Sequence, residues 1–322
     1  MQLTVAMCTY NPPIDTMRRA LDAIVAQLGD VPFAEFIVVD NNSSPPLGER
    51  ARLSDYPMRL LQEATPGLTA AREAAIENAR GDVIVFVDDD NILGDRYLAM
   101  VVEAFSADPR LGLLGGRVIP EYEAQPPAWF GDFEPWLAIR RHPPDLYVET
   151  TDPPYSNCFP VGAGFAVRRD LAVAYIEDCA ETMRVQGRAG TVLSSGEDTD
   201  LGLFVLSSGR KLAVIGALGL THVISGGRVR REYLQRLAVG HVKSALLLEE
   251  KWSVRFGRPI FPEVSPPLVT LLAKTLVAVA LSLWSPRYRV KRHLFTTLTR
   301  ARLVRGFKGT PSRFASSFSS NS

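Results

Sequence analysis

The chain has 322 residues, of which 46% are hydrophobic and 22% charged, a globular composition that excludes disorder as the default state. Its 36 basic and 35 acidic residues leave a formal net charge of +1, so the whole chain shows no electrostatic sign of a nucleic-acid partner. Three cysteines without metal-ligand spacing argue against a disulfide framework and favour a reducing compartment.

The first part of the chain alternates continuous apolar runs with segments of helical periodicity. No charged leader precedes the first run, so we expect no secretory signal and a cytoplasmic protein. Apolar runs of this kind are typical of strands buried on both faces, and their separation by helices predicts a doubly wound, mostly parallel α/β sheet. The predicted strands are Leu3–Met7, Phe36–Val39, Met58–Leu61 and Val83–Val87, and the predicted helices are Met17–Leu28 and Leu68–Ala79.

Polar side chains follow three of these strands at the point where each strand ends. They are Thr9, Asp40 and the run Asp88-Asp89-Asp90. Ligands of open α/β sheets bind at the carboxyl ends of the strands. We therefore expect these side chains to face one crevice.

The middle of the chain is rich in proline and aromatic residues between residues 120 and 160. The segment shows no period and is interpreted as a long ordered excursion or lid, because long loops in compact domains are usually functional. Another strand is predicted over Phe159–Val167, around Gly162 and Gly164, followed by a helix from Asp170.

Two acidic clusters stand out chemically. The acidic triplet, Asp88 to Asp90, needs a cation or a hydrogen-bond network to relieve its repulsion, and Mg²⁺ or Mn²⁺ prefers such oxygen ligands. The E-D pair, Glu197 and Asp198, begins a predicted helix, where a carboxylate can serve as general base. The alternatives are a solvated acidic turn for the triplet and a simple helix cap for the pair.

Together these segments resemble the family 2 glycosyltransferases, which have the GT-A fold. Motifs in matching order are Thr9-Tyr10-Asn11, Val38 to Ser44, Pro66 to Arg72, Phe86 to Asp90 and Gly196-Glu197-Asp198, within residues 1–225. The resemblance implies a Rossmann-like, mostly parallel sheet flanked by helices. It also implies inverting transfer from a nucleotide-diphospho-sugar, with a UDP-sugar favoured. The acceptor would be a hydroxyl of a glycan or a lipid-linked molecule, in surface polysaccharide or glycoconjugate synthesis.

The resemblance also implies individual roles. Nucleotide-sugar contacts fall on Thr9, Tyr10, Asn11, Asp40, Asn42, Arg72, Asp88, Asp89, Gly162, Gly164, Arg228 and Arg231. A Mn²⁺ or Mg²⁺ ion falls on Asp88, Asp90 and His222, and catalysis falls on Asp198 as base with Glu197 beside it. Asp40 would accept from the base, Arg72 would reach the base or diphosphate, and the two glycines would let the backbone approach substrate. The segment Ser225–Arg231 resembles a lid whose arginines clamp diphosphate, the alternative being a basic surface loop, and His222 has a structural alternative.

The C-terminal part differs from the rest. Leu268–Trp284 is nearly all apolar, and as a helix it spans roughly 25 Å, short of a ~30 Å hydrocarbon core. Thr270, Lys274 and Ser282 fall on one narrow stripe, and nine basic residues without an acidic one follow between Arg287 and Arg313. This pattern favours an in-plane or re-entrant helix at an anionic membrane surface over a true span or a soluble packed helix. The expected location is the inner face of the cell membrane.

The predicted organisation is a glycosyltransferase domain over residues 1–261 and a membrane-association segment over residues 262–322. The domain divides into a nucleotide-binding half, 1–115, and an acceptor-binding half with the lid, 116–261. A nucleotidyltransferase that makes nucleotide-sugars is an alternative, but such enzymes carry a Gly-rich basic loop after the first strand, where this chain has Cys8-Thr9-Tyr10. A non-catalytic nucleotide-sugar-binding protein is a second alternative, against which the two acidic clusters argue.

Overall fold

The computed structural model describes residues 1–50, 53–149, 159–183, 185, 187–188, 193–261 and 268–308. The strands are β1 Leu3–Thr9, β2 Phe33–Asp40, β3 Arg59–Gln62, β4 Val83–Phe86, β5 Asn91–Leu93, β6 Leu111–Tyr122, β7 Leu146–Val148, β8 Ala166–Arg168 and β9 Lys211–Ile224. The helices are α1 Ile14–Leu28, α2 Leu47–Arg50, α3 Leu68–Asn78, α4 Tyr97–Ala107, α5 Arg169–Glu181, α6 Glu197–Ser207, α7 Arg231–Phe256, α8 Leu268–Ser282 and α9 Pro286–Lys308.

Within the described residues, the strands join one mixed sheet in the order β3-β2-β1-β4-β8-β6-β9-β5, with β7 paired to β9. β3, β2, β1 and β4 run parallel, as do β6 and β9. β8 is antiparallel to both of its neighbours and joins the two parallel groups. The expected mostly parallel α/β architecture is confirmed.

The first half of the sheet forms where the sequence predicts it. Every residue of β1 is buried, as are the last five residues of β2, because helices cover the sheet on both sides. Helix α1 contributes Met17, Leu21 and Ile24 to this core, at the spacing of one helix face. Continuous apolar runs therefore predicted the strands correctly.

The strand predicted over Phe159–Val167 is wrong in its first part, because β8 begins only at Ala166. Gly164 has φ +71, and this left-handed conformation is incompatible with an extended strand. The proline-rich stretch contains the end of β6, a 3-10 helix over Phe130–Leu137, and β7. Its residues 150–158 lie outside the described residues.

The chain divides into two compact units, Met1–Val229 and Arg230–Ser322. The sequence interpretation placed the boundary at 261/262 instead and did not predict helix α7. In the second unit, α7, α8 and α9 share a small core, and the buried Glu249 accepts hydrogen bonds from the backbone N–H groups of Ile260 and Phe261. These contacts group α7 with the two helices that follow it.

Helix α8 turns one side toward α9 and the other to solvent. Leu271, Ala278 and Ser282 are buried, and Thr275 hydrogen-bonds Thr299 of α9. The predicted polar stripe is therefore wrong at Ser282, whose hydroxyl faces Arg292 of α9. None of the helices in the described residues has both the length and the apolar content needed to cross a bilayer.

Candidate active site

The carboxyl ends of the parallel strands meet at one edge of the sheet. β1 ends at Thr9, which is paired with Asp40 at the end of β2, and the acidic triplet follows β4. The Thr9 hydroxyl donates a hydrogen bond to Asp89. The structure thus brings together the first and third of the predicted polar groups through a direct contact.

Asp40 shapes the loop that follows β2. Its two carboxylate oxygens accept the backbone N–H groups of Ser43 at 3.2 Å and Leu47 at 2.7 Å, and the residue is only 2% exposed. These contacts give the carboxylate a loop-ordering role. The proposed contact between Asp40 and a nucleotide base stays a prediction.

Tyr10, Asn11 and Asn42 lie in the loops that follow β1 and β2. Tyr10 is 58% exposed, so its ring is available for stacking. Asn11 and Asn42 adopt positive φ angles, which asparagine tolerates better than most residues. Asn11 accepts the N–H of Ser44 at 3.0 Å and ties the two loops together.

Asn41 is a site-building residue that the sequence analysis missed. Its side-chain oxygen accepts the N–H of Gly67 at 2.7 Å, just before α3, and its amide donates to the carbonyls of Glu63 and Thr65. The residue is buried, so all three bonds are shielded from water. Asparagine fits because it offers both donors and an acceptor, and its place directly after Asp40 was the available signal.

The acidic triplet carries strongly perturbed carboxyl groups. Burial raises the pKa of Asp89 to about 7, and the neighbouring carboxylates add to this effect while the Thr9 hydrogen bond opposes it. Burial likewise raises the pKa of Asp88, against the attraction of Arg72. Burial also acts on Asp90, but His222 and Arg228 outweigh it and hold its pKa well below the usual range. Asp90 is therefore the member of the triplet whose ionised form is favoured by its surroundings.

A compact cluster surrounds that ionised group. Arg228 Nη1 donates to Asp90 Oδ2 at 2.9 Å and lies 3.1 Å from His222 Nε2, while His222 Nε2 lies 3.4 Å from Asp90 Oδ2. Arg228 and His222 thus both lie against the Asp90 carboxylate.

This donor set fits a divalent cation that shares its coordination with substrate phosphates. Carboxylate oxygen and imidazole nitrogen suit Mn²⁺, and Mg²⁺ commonly takes only one or two protein carboxylates plus phosphate oxygens. Across the described ranges, no group of three acidic, histidine or cysteine side chains is arranged to hold a metal ion. The cation at Asp88, Asp90 and His222 stays a prediction.

Arg72 connects the two acidic clusters. Its guanidinium donates to Glu197 Oε1 at 3.1 Å and lies 3.7 Å from Asp88 Oδ1. The buried side chain packs on the rings of Phe86 and Phe165, which hold it in place. Arg72 thus pairs with carboxylates of both clusters, and its contact with the base or diphosphate of the donor stays a prediction.

The E-D pair opens helix α6, as predicted. Asp198 Oδ2 accepts the N–H of Gly162 at 2.7 Å, and Oδ1 accepts the N–H of Thr199 at 2.7 Å. Burial raises the pKa of Glu197, although its ion pair with Arg72 opposes the shift. The two neighbouring carboxylates therefore have different surroundings.

The two glycines make room for neighbouring side chains. A Cβ at Gly162 would lie 3.2 Å from Arg72 Nη2 and 3.4 Å from Asp198 Oδ2, so this glycine makes room for the side chains of the site. Gly164 combines its positive φ with close packing against Leu220, and its carbonyl accepts the Tyr97 hydroxyl. Close approach of their backbone to substrate stays a prediction.

The lid segment divides between the two units. Arg228 belongs to the first unit and contacts the acidic triplet as described above. Arg231 belongs to the second unit and pairs with the adjacent Glu232 at 2.7 Å. Clamping of diphosphate by Arg231 stays a prediction.

Comparison with solved structures places this sheet among known folds. The chain superimposes on the mannosyltransferase PcManGT from Pyrobaculum calidifontis, solved in complex with GDP-Man and Mn²⁺, with a TM-score of 0.56 and 18% identity. The match covers 96% of this chain and 88% of that one. Residues 1–349 of TarS from S. aureus give a TM-score of 0.50 and 15% identity, covering 97% and 93% of the two chains. At these identities the likeness shows the fold alone, which is GT-A.

Curated relatives match a shorter stretch. A glucosyl-dolichyl phosphate glucuronosyltransferase from Haloferax volcanii is 25% identical over 140 residues, which cover 42% of this chain and 44% of that protein. The succinoglycan biosynthesis protein ExoM from Rhizobium meliloti is 26% identical over 149 residues, covering 43% and 46%. This chain therefore matches just under half the length of these relatives.

The family model described as glycosyl transferase family 2 matches residues 4–174, just over half of this chain. This part carries β1, β2 and the acidic triplet. The chain belongs to glycosyl transferase family 2.

Proposed function

We propose that this protein is an inverting, metal-dependent glycosyltransferase that moves a sugar from a nucleotide-diphosphate donor to a hydroxyl of a glycan or lipid-linked acceptor. The observation that carries the proposal is the meeting of the acidic triplet and the E-D pair, which Arg72 joins at 3.1 Å to Glu197 and 3.7 Å to Asp88. One cluster is suited to a cation with phosphate and the other to proton transfer. The relatives named for glycoconjugate and succinoglycan synthesis support this class of acceptor.

Asp198 is assigned as the general base. The N–H groups of Gly162 and Thr199 orient its carboxylate. The carboxylate oxygens can still accept a further hydrogen bond from the hydroxyl of the molecule that receives the sugar. As the hydroxyl oxygen bonds to the anomeric carbon, its proton passes to Asp198. The bond from that carbon to the phosphate oxygen breaks at the same time, and its electron pair leaves with the nucleoside diphosphate. A single displacement from the opposite face inverts the anomeric configuration.

Other residues of the site are assigned to the cation or orient the neighbouring carboxylates. Asp88, Asp90 and His222 are assigned to a bound Mn²⁺ or Mg²⁺, which supplies Lewis-acid stabilisation of the departing diphosphate. Arg72 holds Glu197 beside the base, so that its carboxylate does not turn toward Asp198. Thr9 fixes the orientation of Asp89 through their hydrogen bond.

The decisive experiment is a transfer assay with UDP-sugars and GDP-Man as donors, since the sequence resemblance favours UDP and PcManGT was solved with GDP-Man. We expect turnover with Mn²⁺, none in excess EDTA, and a product whose anomeric configuration by NMR is opposite to that of the donor. Retention of configuration would refute the displacement. Consumption of a nucleoside triphosphate with a sugar phosphate would instead identify a nucleotidyltransferase, and binding without turnover a non-catalytic protein.

Two substitutions separate the members of the E-D pair. Asp198→Asn should reduce kcat by roughly 10²–10⁴-fold because the amide cannot take the proton. Glu197→Gln keeps the contact with Arg72 through its amide oxygen and should be milder. If Glu197→Gln proves the more damaging change, the assignment of the base within the pair is wrong.

The proposed location is the inner, anionic face of the cell membrane. On α8, apolar side chains recur at helical spacing on the side away from α9, and Trp284 just beyond the helix is 86% exposed. The exposed large apolar residues of α8 and of the two positions after it are Val269, Leu272, Leu276, Val277, Val279, Leu281, Leu283 and Trp284. Helix α9 contributes basic residues and no acidic ones, which complements anionic lipid rather than a neutral protein surface.

Liposome flotation tests this location. The full chain should float with vesicles of phosphatidylcholine and phosphatidylserine, less with phosphatidylcholine alone, and high salt should weaken the binding without removing it. Leu276→Glu should reduce flotation. Val254→Glu is the matched control, because Val254 is 82% exposed on α7. A wild-type chain that ignores anionic vesicles and forms dimers instead would show that this face binds a second copy.

A further inference from the structure

Arg188 lies on a segment that is fixed against both parts of the active site. Its carbonyl accepts the N–H of Leu68 at 2.9 Å, at the first residue of α3. The preceding Gly187 donates its N–H to Thr69 Oγ1 at 2.8 Å. Gly187 also packs on the E-D pair, since a Cβ there would lie 3.0 Å from Glu197 Cδ. The backbone beneath Arg188 is therefore held between α3 and α6.

The charge of Arg188 acts on both acidic clusters. It contributes to lowering the pKa values of Asp88, Asp90 and Glu197 against the larger effect of their burial. The half-buried guanidinium forms no hydrogen bond or ion pair within the part of the chain that the structure describes. Arg72, by contrast, is committed to Glu197.

We propose that Arg188 binds the diphosphate of the nucleotide-sugar donor. The inference rests on the proposed function and adds to it a residue outside the five family motifs. A diphosphate entering this cleft adds negative charge beside two acidic clusters, so binding requires cations that are not already engaged by carboxylates. An arginine fork can donate two parallel hydrogen bonds to phosphate oxygens. These bonds strengthen as charge develops on the departing diphosphate.

The test compares Arg188→Gln with wild type by calorimetric titration in Mn²⁺, using UDP and GDP against UMP and GMP. Arg188→Gln should weaken nucleoside diphosphate binding by about tenfold to a hundredfold, the loss of charge-assisted hydrogen bonds, and monophosphate binding much less. Arg188→Lys should recover part of the loss, because it restores the charge without the fork. Arg80→Gln is the matched control, since the Arg80 side chain is 75% exposed at the surface.

Four outcomes would overturn the assignment. An equal loss for diphosphate and monophosphate would show that Arg188 does not distinguish the second phosphate. A change confined to Mn²⁺ affinity, measured by EPR without nucleotide, would show that Arg188 only tunes the carboxylates. A wild-type chain that binds neither UDP nor GDP would refute the proposed function and with it this role, whereas binding by wild type and Arg188→Gln alike would refute the role alone.

Discussion

Gly164 and Gly209 form a natural pair for separating backbone strain from packing. Their φ angles are +71 and +72, so alanine at either position must adopt the left-handed conformation. That conformation costs about 1–2 kcal/mol for a residue with a Cβ. A Cβ at Gly209 would meet nothing within 4 Å, whereas one at Gly164 would lie 2.2 Å from Leu220 Cδ2 and 2.7 Å from Tyr97 Oη.

The difference between the two substitutions isolates the cost of packing. Leu220 and Tyr97 are themselves buried, so neither can move aside freely, and such overpacking costs about 1–3 kcal/mol. Gly209→Ala should therefore destabilise the protein by about 1–2 kcal/mol, and Gly164→Ala by about 2–5 kcal/mol.

Urea unfolding followed by circular dichroism measures both values. The assay should report a larger loss of unfolding free energy for Gly164→Ala, with donor KM unchanged where the variant is folded. Equal losses for the two variants would refute the packing argument. A normal stability with raised donor KM at Gly164→Ala would restore its predicted role in substrate approach.

Two further predictions concern carboxylates at the strand ends, the buried Asp40 and the half-buried Asp89. Asp40→Asn should lower the unfolding free energy in urea by about 1.5–3 kcal/mol, because one loop N–H loses a charged acceptor; unchanged stability with lost UDP affinity would indicate contact with the base instead. The pKa of Asp89 is raised from 3.8 in the unfolded chain to about 7 in the folded protein. Between these two pH values the folded protein keeps a proton that the unfolded chain releases, so the contribution of Asp89 to stability is lost as the pH rises from 3.8 to about 7. Asp89→Asn cannot ionise, so its Tm in EDTA should rise relative to that of wild type as the pH increases from about 4 to about 7. A difference in Tm that does not change with pH would contradict the burial argument.

The first half of the fold was predictable because its signals are local. β1 and β4 are continuous apolar runs. A strand that is buried on both faces of a sheet can be recognised from such a run alone, without knowing which other segments it contacts. The acidic triplet directly follows such a run, so its place at the strand ends followed from the chain order alone. The apolar residues that follow the E-D pair at helical spacing placed the pair at the start of α6.

The rest depends on contacts between residues distant in sequence. Arg72 pairs with Glu197 across 125 positions, and Gly162 reaches Asp198 across 36. No periodicity indicates which arginine will be buried against which carboxylate. The sequence analysis interpreted the basic run in α9 as a tail because its many charged residues obscure the spacing of its apolar residues. Val290 is one of these apolar residues, and it packs within the second unit.

Arg228 contacts two of the side chains that would hold the cation of the proposed mechanism, Asp90 and His222. Its Nη1 lies 2.9 Å from Asp90 Oδ2 and 3.1 Å from His222 Nε2. A cation bound by these side chains would repel the guanidinium, because both carry positive charge. Metal binding must therefore break a charge-assisted hydrogen bond worth about 1.5–3 kcal/mol, which frees Arg228 for the diphosphate. Arg228→Met should bind Mn²⁺ about tenfold or more tightly than wild type without nucleotide, as measured by EPR, yet bind UDP more weakly once Mn²⁺ is present. Arg80→Met, at an exposed surface position, should change neither affinity. An Mn²⁺ affinity in Arg228→Met equal to or below that of wild type would show that Arg228 does not compete with the cation at Asp90.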